Sequence, residues 1–220
     1  MATTVSSPKL AYGPRVDLEG LPNLYAPQSV EPFTPPVPGI DNLGIVSTDR
    51  FYVPGKGEFE VQFKGYVRVA RSKPTTERWV DSEVYTNLIE MCMRGESEEL
   101  GSIIVTLNPE VLSTGQLRTP HADLQCEQPE KACRMAVAAQ FNLPKLGLTL
   151  VNKEPIELTI DNVKAIPPAG APGDGRIYHI LPLYNQGNLE GEPAAYLTSL
   201  KFSMGTYITE AEIVSTKSGN

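Results

Sequence analysis

The stretch EFEVQFKGYVRVA, residues 58–70, decides the fold class that this sequence predicts. Its apolar and polar residues alternate, and successive side chains of a β-strand point to opposite faces of the sheet. One face holds Phe59, Val61, Phe63, Val67 and Val69, and the other holds Glu58, Glu60, Gln62, Lys64, Tyr66 and Arg68. The pattern predicts a long strand with one buried face, against which further strands pack.

A tight turn joins this strand to the one before it. Residues 45–53 are predicted to form the first strand of the sheet. The turn signal Pro54, Gly55, Lys56 and Gly57 follows it directly. The two strands are therefore predicted to form a hairpin.

The rest of the chain contains short apolar segments that end at glycine, proline or polar clusters. Strands are predicted over residues 79–93, 102–107, 132–141, 146–151, 156–163 and 176–184, with a two-strand unit over 194–208 in which 194–199 could instead form a short helix. Residues 111–128 are predicted to be a long irregular connection and a first candidate site region, because long loops are often functional. Since strands do not alternate with helices, the sequence predicts an all-β fold, an antiparallel β-sandwich or barrel of about eight or nine strands.

Composition excludes several classes of partner. The chain has 220 residues, of which 40% are hydrophobic, and 20 prolines and 18 glycines favour many short elements over long helices. A net charge of -7 disfavours binding to nucleic acid or anionic membranes. The sequence has neither a long apolar run nor the apolar segment of a secretory signal, so we expect a cytoplasmic protein with no membrane contact.

The first forty residues differ in composition from the rest. They contain eight of the twenty prolines, which exclude a helix or a central strand, yet apolar residues lie between those prolines. We expect an extended proline-rich arm over residues 1–40, a single β domain over 41–214 and a polar tail over 215–220. The arm is predicted either to cover a sheet edge or barrel end of its own domain, or to reach a neighbouring subunit and form a homo-oligomer.

The two histidines limit any histidine-based chemistry. His179 lies within a predicted strand beside Tyr178, with Arg176 two residues before it, and His121 lies in the long connection. These four residues are the candidate catalytic groups, for acid, base and charge stabilisation. A neutral core histidine is the alternative interpretation of His179.

Metal and disulfide sites have weak signals. His121, Asp123, Cys126 and Glu127 lie in one loop, but their spacing matches no known metal motif, so no metal is predicted. The three cysteines, Cys92, Cys126 and Cys133, cannot all pair within one chain. A Cys126–Cys133 disulfide is one alternative, and free thiols are the other.

Tyrosine and methionine side chains supply the candidate ligand-binding surface. The residues proposed to bind a ligand are Tyr66, Tyr85, Met91, Met93 and Tyr184. In a cavity such side chains hold an apolar molecule, whereas on an outer face tyrosines only seal contacts of the sheet.

Three functions are consistent with these features. The first is a β-domain that binds an apolar small molecule or a protein partner through its loop end. The second is a cofactor-independent enzyme of the isomerase or cyclase type that acts on an apolar substrate in a barrel. The third is a structural or assembly role that uses the arm. Motifs for nucleotide binding, nucleophilic serine and zinc are absent from the sequence, and no cofactor is predicted.

Overall fold

The structure is a computed structural model that describes residues 13–29, 36–75, 83–118, 132–160, 163, 165–167, 172–175 and 180–218. Within these residues it has fifteen strands, one short 3-10 helix and one α-helix. The strands are β1 (Asn23–Leu24), β2 (Gln28–Ser29), β3 (Gly39–Val53), β4 (Gly57–Arg71), β5 (Glu83–Ser97), β6 (Gly101–Leu107), β7 (Ser113–Arg118), β8 (Ala132–Val137), β9 (Ala139–Leu143), β10 (Leu148–Asn152), β11 (Ile156–Ile160), β12 (Ala165–Ile166), β13 (Pro172–Gly175), β14 (Leu181–Asn185) and β15 (Ala195–Tyr207). The 3-10 helix is Pro144–Leu146 and α1 is Glu210–Ser218.

The predicted hairpin is present and is longer than expected. Strands β3 and β4 pair antiparallel without a register shift from Val53 opposite Gly57 to Gly39 opposite Arg71. Gly55 and Gly57 take φ values of 75° and 104°, which glycine adopts without the steric cost of a Cβ atom. The strand predicted from residues 58–70 is confirmed, and its apolar row from Val61 onward is buried.

The large sheet closes on itself. Its antiparallel order runs β3, β4, β5, β6, β9, β10, β14, β15, and β15 also pairs with β3, which completes a ring. A barrel of eight strand positions is wide enough for side chains to fill it or for one small ligand to bind. The all-β prediction is confirmed, and the structure favours the barrel alternative over the sandwich.

The strand count exceeds the prediction because four of the eight strand positions are each divided into two short strands. β3, β4, β5 and β15 are continuous strands of 13 to 15 residues. Each other position holds two short strands end to end, namely β6 with β7, β9 with β8, β10 with β11, and β14 with β13. The joints at residues 108–112, 138 and 153–155 lie beside one another, and we refer to this line of joints as the crease.

Buried polar side chains hold the crease together. Asn152 accepts a hydrogen bond from the Ala139 N–H at 2.7 Å and donates one to the Val137 carbonyl at 3.0 Å. The Ser113 hydroxyl accepts from the Ala138 N–H at 2.9 Å. These bonds satisfy the backbone groups that lose their partners where the strands are interrupted.

The described part of the N-terminal arm packs on its own chain. β15 pairs with β3 only as far as Leu43, and β1 occupies the free edge beyond it through parallel pairing with Ile40 and Asp41. The buried Val16 donates its N–H to the Asn87 side chain at 2.5 Å. This arrangement matches the predicted covering of a sheet edge by the arm, and contact with a second subunit stays a prediction.

A helix occupies most of the predicted polar tail. α1 begins after Thr209, whose hydroxyl accepts from the Glu212 N–H at 3.3 Å while the Glu212 carboxylate accepts from the Thr209 N–H at 2.6 Å. This reciprocal pair is a capping box. α1 lies against the outer face of β4, where it buries Ile213.

Several predicted elements differ from the structure. Residues 111–128 were expected to be irregular, but β7 lies within them and pairs with β5 and β8. The predicted strand over 132–141 is interrupted at Ala138. The two-strand unit over 194–208 and the alternative helix over 194–199 are both wrong, because β15 is one strand with two bulges.

Candidate functional site

The inward faces of the strands enclose an apolar cavity in the barrel. Its lining residues come from both the continuous and the jointed halves of the wall, so the cavity crosses the crease. They are Ile45, Ser47, Asp49, Val67, Leu88, Met91, Met93, Val105, Met135, Val137, Ala139, Phe141, Ile156, Leu158, Leu200, Phe202 and Met204. Only Ser47 and Asp49 among them carry polar side chains.

Methionine is concentrated in this cavity. Four of the five methionines in the chain line it, and they come from β5, β8 and β15. They are Met91, Met93, Met135 and Met204. Methionine has three rotatable side-chain bonds and a polarisable thioether, so such a lining adapts to different shapes.

The cavity is nearly filled by its own side chains. Its free volume is about 40 Å³, whereas ligand pockets usually have a volume of about 300–1,000 Å³. A bound molecule must therefore displace side chains, and the flexible methionines are the ones that move at least cost.

Among the described residues, Asp49 is the one ionisable group in the cavity lining. It lies in the middle of β3, with Val61 of β4 and Leu200 of β15 as its cross-strand neighbours. Its side chain is 1% exposed, and neither carboxylate oxygen has a hydrogen-bond partner within the described residues. The Ser47 hydroxyl, on the same face two residues earlier, also lacks one.

Burial shifts the protonation of Asp49. Loss of hydration disfavours the charged form and raises the pKa of Asp49 to about 7, although the nearby Ser47 hydroxyl opposes the shift. A carboxyl group with this pKa can hold, donate or accept a proton near neutral pH. The cavity therefore combines a hydrocarbon surface with a single titratable group.

A second buried aspartate, Asp41, lies near the N-terminal end of β3. Asp41 forms an ion pair with Arg71, at 3.3 Å from Oδ2 to Nε, and accepts a hydrogen bond from the Tyr207 hydroxyl at 2.8 Å. Arg71 also donates to the Ile166 carbonyl at 2.7 Å. Burial raises the pKa of Asp41, although Arg71 and Tyr207 oppose the shift. Within the described residues, Nε and Nη2 of Arg71 have no hydrogen-bond partner, so Asp41 is held by the ion pair and by the Tyr207 hydroxyl.

A hollow on the outer wall lies next to the cavity. It is bounded by the arm at Val16 and Leu18 and by the crease at residues 107–113, and its free volume is about 390 Å³. Leu88 lines both this hollow and the inner cavity. Leu88 thus lies between the inner cavity and the outer hollow, which the arm borders.

The predicted ligand-binding residues fall into two groups. Met91 and Met93 line the cavity. The three tyrosines do not, because they lie on the outer face of the barrel. Tyr66 is buried beneath α1 and donates to Glu90 at 2.6 Å, Tyr85 donates to Glu83 at 2.7 Å, and Tyr184 lies 4.1 Å below the Lys153 ammonium.

The predicted catalytic residues are outside the described part of the chain. This applies to His121, Arg176, Tyr178 and His179, and their roles stay predictions. Cys126 is also outside it, whereas Cys133 is a buried free thiol whose pKa is raised to about 12 by burial. Within the described residues, no three metal-ligating side chains lie together, and no helix has the length and hydropathy needed to cross a bilayer.

Sequence reasoning missed the residue on which the site depends. Asp49 and Ser47 fall in the same alternating row as Ile45, Phe51 and Val53, so the period of two already placed a carboxyl group on the buried face. The signal was present in residues 45–53. Met135 and Met204 alternate with polar or small residues in the predicted segments 132–141 and 194–208, but only the closed ring shows that they line the same cavity as Met91 and Met93.

Comparisons with known proteins agree with this architecture. The chain is 58% identical to the protein in a solved structure named "Structure of DynF from the Dynemicin Biosynthesis Pathway of Micromonospora chersina", with a TM-score of 0.82. The match covers 91% of this chain and 95% of the DynF chain. No match to a curated protein was found. A family model matches residues 1–214, and the chain therefore belongs to DUF6073, a family of unknown function.

Proposed function

We propose that the protein binds an apolar small molecule inside the barrel. The observation that carries this proposal is the convergence of Met91, Met93, Met135 and Met204 on one buried cavity. A core built only for stability gains most from side chains with well-defined rotamers, whereas methionine specifies packing poorly. Four methionines at one place favour a surface that can repack around a guest molecule.

The similarity to DynF supports a place for this molecule in biosynthesis. DynF is named as a protein of the dynemicin biosynthesis pathway. By similarity, we propose that this chain binds an intermediate or product of a biosynthetic pathway. A cytoplasmic location, a protein partner and a homo-oligomer formed through the arm remain predictions.

A cavity-filling substitution tests the proposal. Val105 lines the cavity and is 1% exposed, so Val105→Phe should fill the space that a ligand needs. We expect this variant to bind the neutral apolar dye N-phenyl-1-naphthylamine at least about tenfold more weakly than the wild type, measured by fluorescence titration. Val46→Phe is the matched control, because Val46 is 46% exposed on the outer face. Equal affinity of both variants for the dye would contradict binding in the barrel.

Methionine methyl groups report the location of the dye independently. In protein labelled with ¹³C at the methionine methyl groups, the signals of Met91, Met93, Met135 and Met204 should shift when the dye binds. A methionine introduced by Val46→Met should not shift, because it lies on the outer face. A shift limited to the introduced methionine would place the dye outside the cavity.

A second candidate function is proton transfer, which the buried Asp49 favours. An isomerase needs one group that takes a proton from one carbon and returns it to another carbon of the same molecule, and a carboxyl group with a pKa near 7 is suited to this. The test uses any molecule retained by protein purified from its own host and detected by native mass spectrometry. In an enzyme, Asp49→Asn should abolish conversion of that molecule, whereas in a carrier no conversion occurs with either form.

A further inference from the structure

Asp49 and Ser47 form a small polar site in an otherwise apolar cavity. The two side chains lie in one row on β3, and all other residues that line the cavity are hydrophobic. Their position gives the cavity one point at which a ligand can be oriented by a hydrogen bond.

The hydrogen-bonding capacity of this polar site is unused. The Asp49 carboxylate oxygens and the Ser47 hydroxyl are buried and have no hydrogen-bond partner within the described residues. Leaving such a group unsatisfied destabilises the fold, because its lost hydration is not replaced by another hydrogen bond. Asn152, which is similarly buried, bonds instead to three backbone groups. Asn152 is thus satisfied by backbone groups, whereas Asp49 and Ser47 have no such partner among the described residues.

We infer that Asp49 selects a ligand that carries an uncharged oxygen acceptor, such as a ketone, aldehyde or ester carbonyl, within an otherwise hydrocarbon skeleton. The protonated Asp49 carboxyl donates a hydrogen bond to that oxygen. Ser47 is a positioning residue that can donate to or accept from the same groups. This inference rests on the proposed binding function and adds the chemical class of the ligand.

The surroundings of Asp49 favour the neutral carboxyl group. The side chains of Val61 and Leu200 occupy the adjacent strands, and the other residues that line the cavity include no charged or titratable group. With no cation beside it among the described residues, the carboxyl group retains its proton up to a pH of about 7. A neutral donor and a neutral acceptor can pair in this apolar interior without burying a net charge.

Two molecules of similar length distinguish the contribution of the hydrogen bond to affinity from that of hydrophobic burial. 2-Nonanone has a carbonyl oxygen, and 1-nonene does not. At pH 6 we expect 2-nonanone to displace bound N-phenyl-1-naphthylamine about tenfold more effectively than 1-nonene. Asp49→Leu should remove this preference, whereas Asp49→Asn should retain most of it, because the amide can still donate. At pH 9 the preference should fall in the wild type but not in Asp49→Asn.

The outcomes distinguish this inference from the proposed function. If both molecules displace the dye equally from the wild type, the selection by Asp49 is overturned while binding in the barrel stands. If nonylamine binds better than 2-nonanone at pH 8, the group acts as an ionised anchor, and the inference is also overturned. If the dye does not bind to the cavity, the proposed function itself fails. Thermal melting of each variant confirms that it is folded before its binding is interpreted.

Discussion

Two aspartates on one strand have the same burial and opposite surroundings. Asp41 and Asp49 lie on the inward row of β3, eight positions apart, and each is 1% exposed. Asp41 contacts Arg71 and Tyr207, whereas Asp49 has no hydrogen-bond partner in the described part of the chain. The same residue type thus serves the fold near one end of the strand and remains available to a ligand in the middle.

Burial alone therefore does not identify a functional carboxyl group. A buried charge is tolerated when a counterion and hydrogen bonds accompany it, and Asp41 meets this condition. Asp49 does not meet it, and the pKa of its side chain is raised to about 7. The absence of a hydrogen-bond partner among the described residues, at the wall of the apolar cavity, is what makes Asp49 a candidate site residue.

The largest effect on stability is expected when the ion pair between Asp41 and Arg71 is broken. Arg71→Leu leaves Asp41 without its counterion in the interior, so we expect the free energy of unfolding to fall by about 3–5 kcal/mol in urea denaturation. Arg50→Leu is the control, because Arg50 pairs with Glu60 at 2.8 Å on the surface and exposed pairs contribute little. A loss for Arg71→Leu no larger than that for Arg50→Leu would show that the buried pair is not needed.

The pH dependence of stability sharpens the contrast at Asp49. Between about pH 4 and pH 7 the folded protein retains the Asp49 proton that the unfolded chain has lost, so stability falls as the pH rises. We expect Asp49→Asn to gain stability relative to the wild type across this window, by at most about 1.4 kcal/mol per pH unit, and to gain no more above it. Asp41 is present in both proteins and cancels in the difference. A constant difference from pH 4 to pH 8 would mean that Asp49 titrates normally.

A smaller loss is expected when the hydroxyl beside Asp41 is removed. Tyr207→Phe deletes the hydrogen bond to the Asp41 carboxylate, and we expect the free energy of unfolding to decrease by about 1–2 kcal/mol. The measurement is again urea denaturation, at a pH where Asp41 is ionised. No loss in this variant would imply that Arg71 alone satisfies Asp41.

The smallest effect is expected when the hydroxyl beside Asp49 is removed. Ser47→Ala also deletes one oxygen, but that oxygen has no hydrogen-bond partner among the described residues, so stability should change by less than about 0.5 kcal/mol or increase slightly. A loss as large as that of Tyr207→Phe would show that the Ser47 hydroxyl does form a hydrogen bond in the folded protein.

The sequence predicted the fold class because the alternation in β3 and β4 is regular. The fifteen residues of β4 pair with β3 in one register, and the apolar row stays on one face. β15 was misread because bulges between Leu197 and Ser199 and between Met204 and Tyr207 shift the phase of its pattern. A bulge changes which residues face inward, and its position depends on the partner strand.

The candidate site was harder to predict for a different reason. The cavity consists of residues from eight strands, and their proximity depends on ring closure between β3 and β15, which no local pattern encodes. Asp49 was readable as a carboxyl group on an apolar row, and the capping box of Thr209 and Glu212 was readable as a helix start. Tyr66 already fell on the polar row opposite Val61 and Phe63, so its outward face could be predicted from the sequence, whereas a bulge in the pairing of β4 with β5 shifts the phase between Tyr85 and Met91.

The crease gives the barrel two mechanically different sides. On one side, β3, β4 and β5 run without interruption, while on the other, Ser113 and Asn152 bridge short strands through single side chains. Backbone amides of the continuous side should therefore exchange with deuterated solvent more slowly than those at the joints. We therefore expect any widening of the barrel to take place along the crease, with the paired strands on either side of it kept intact.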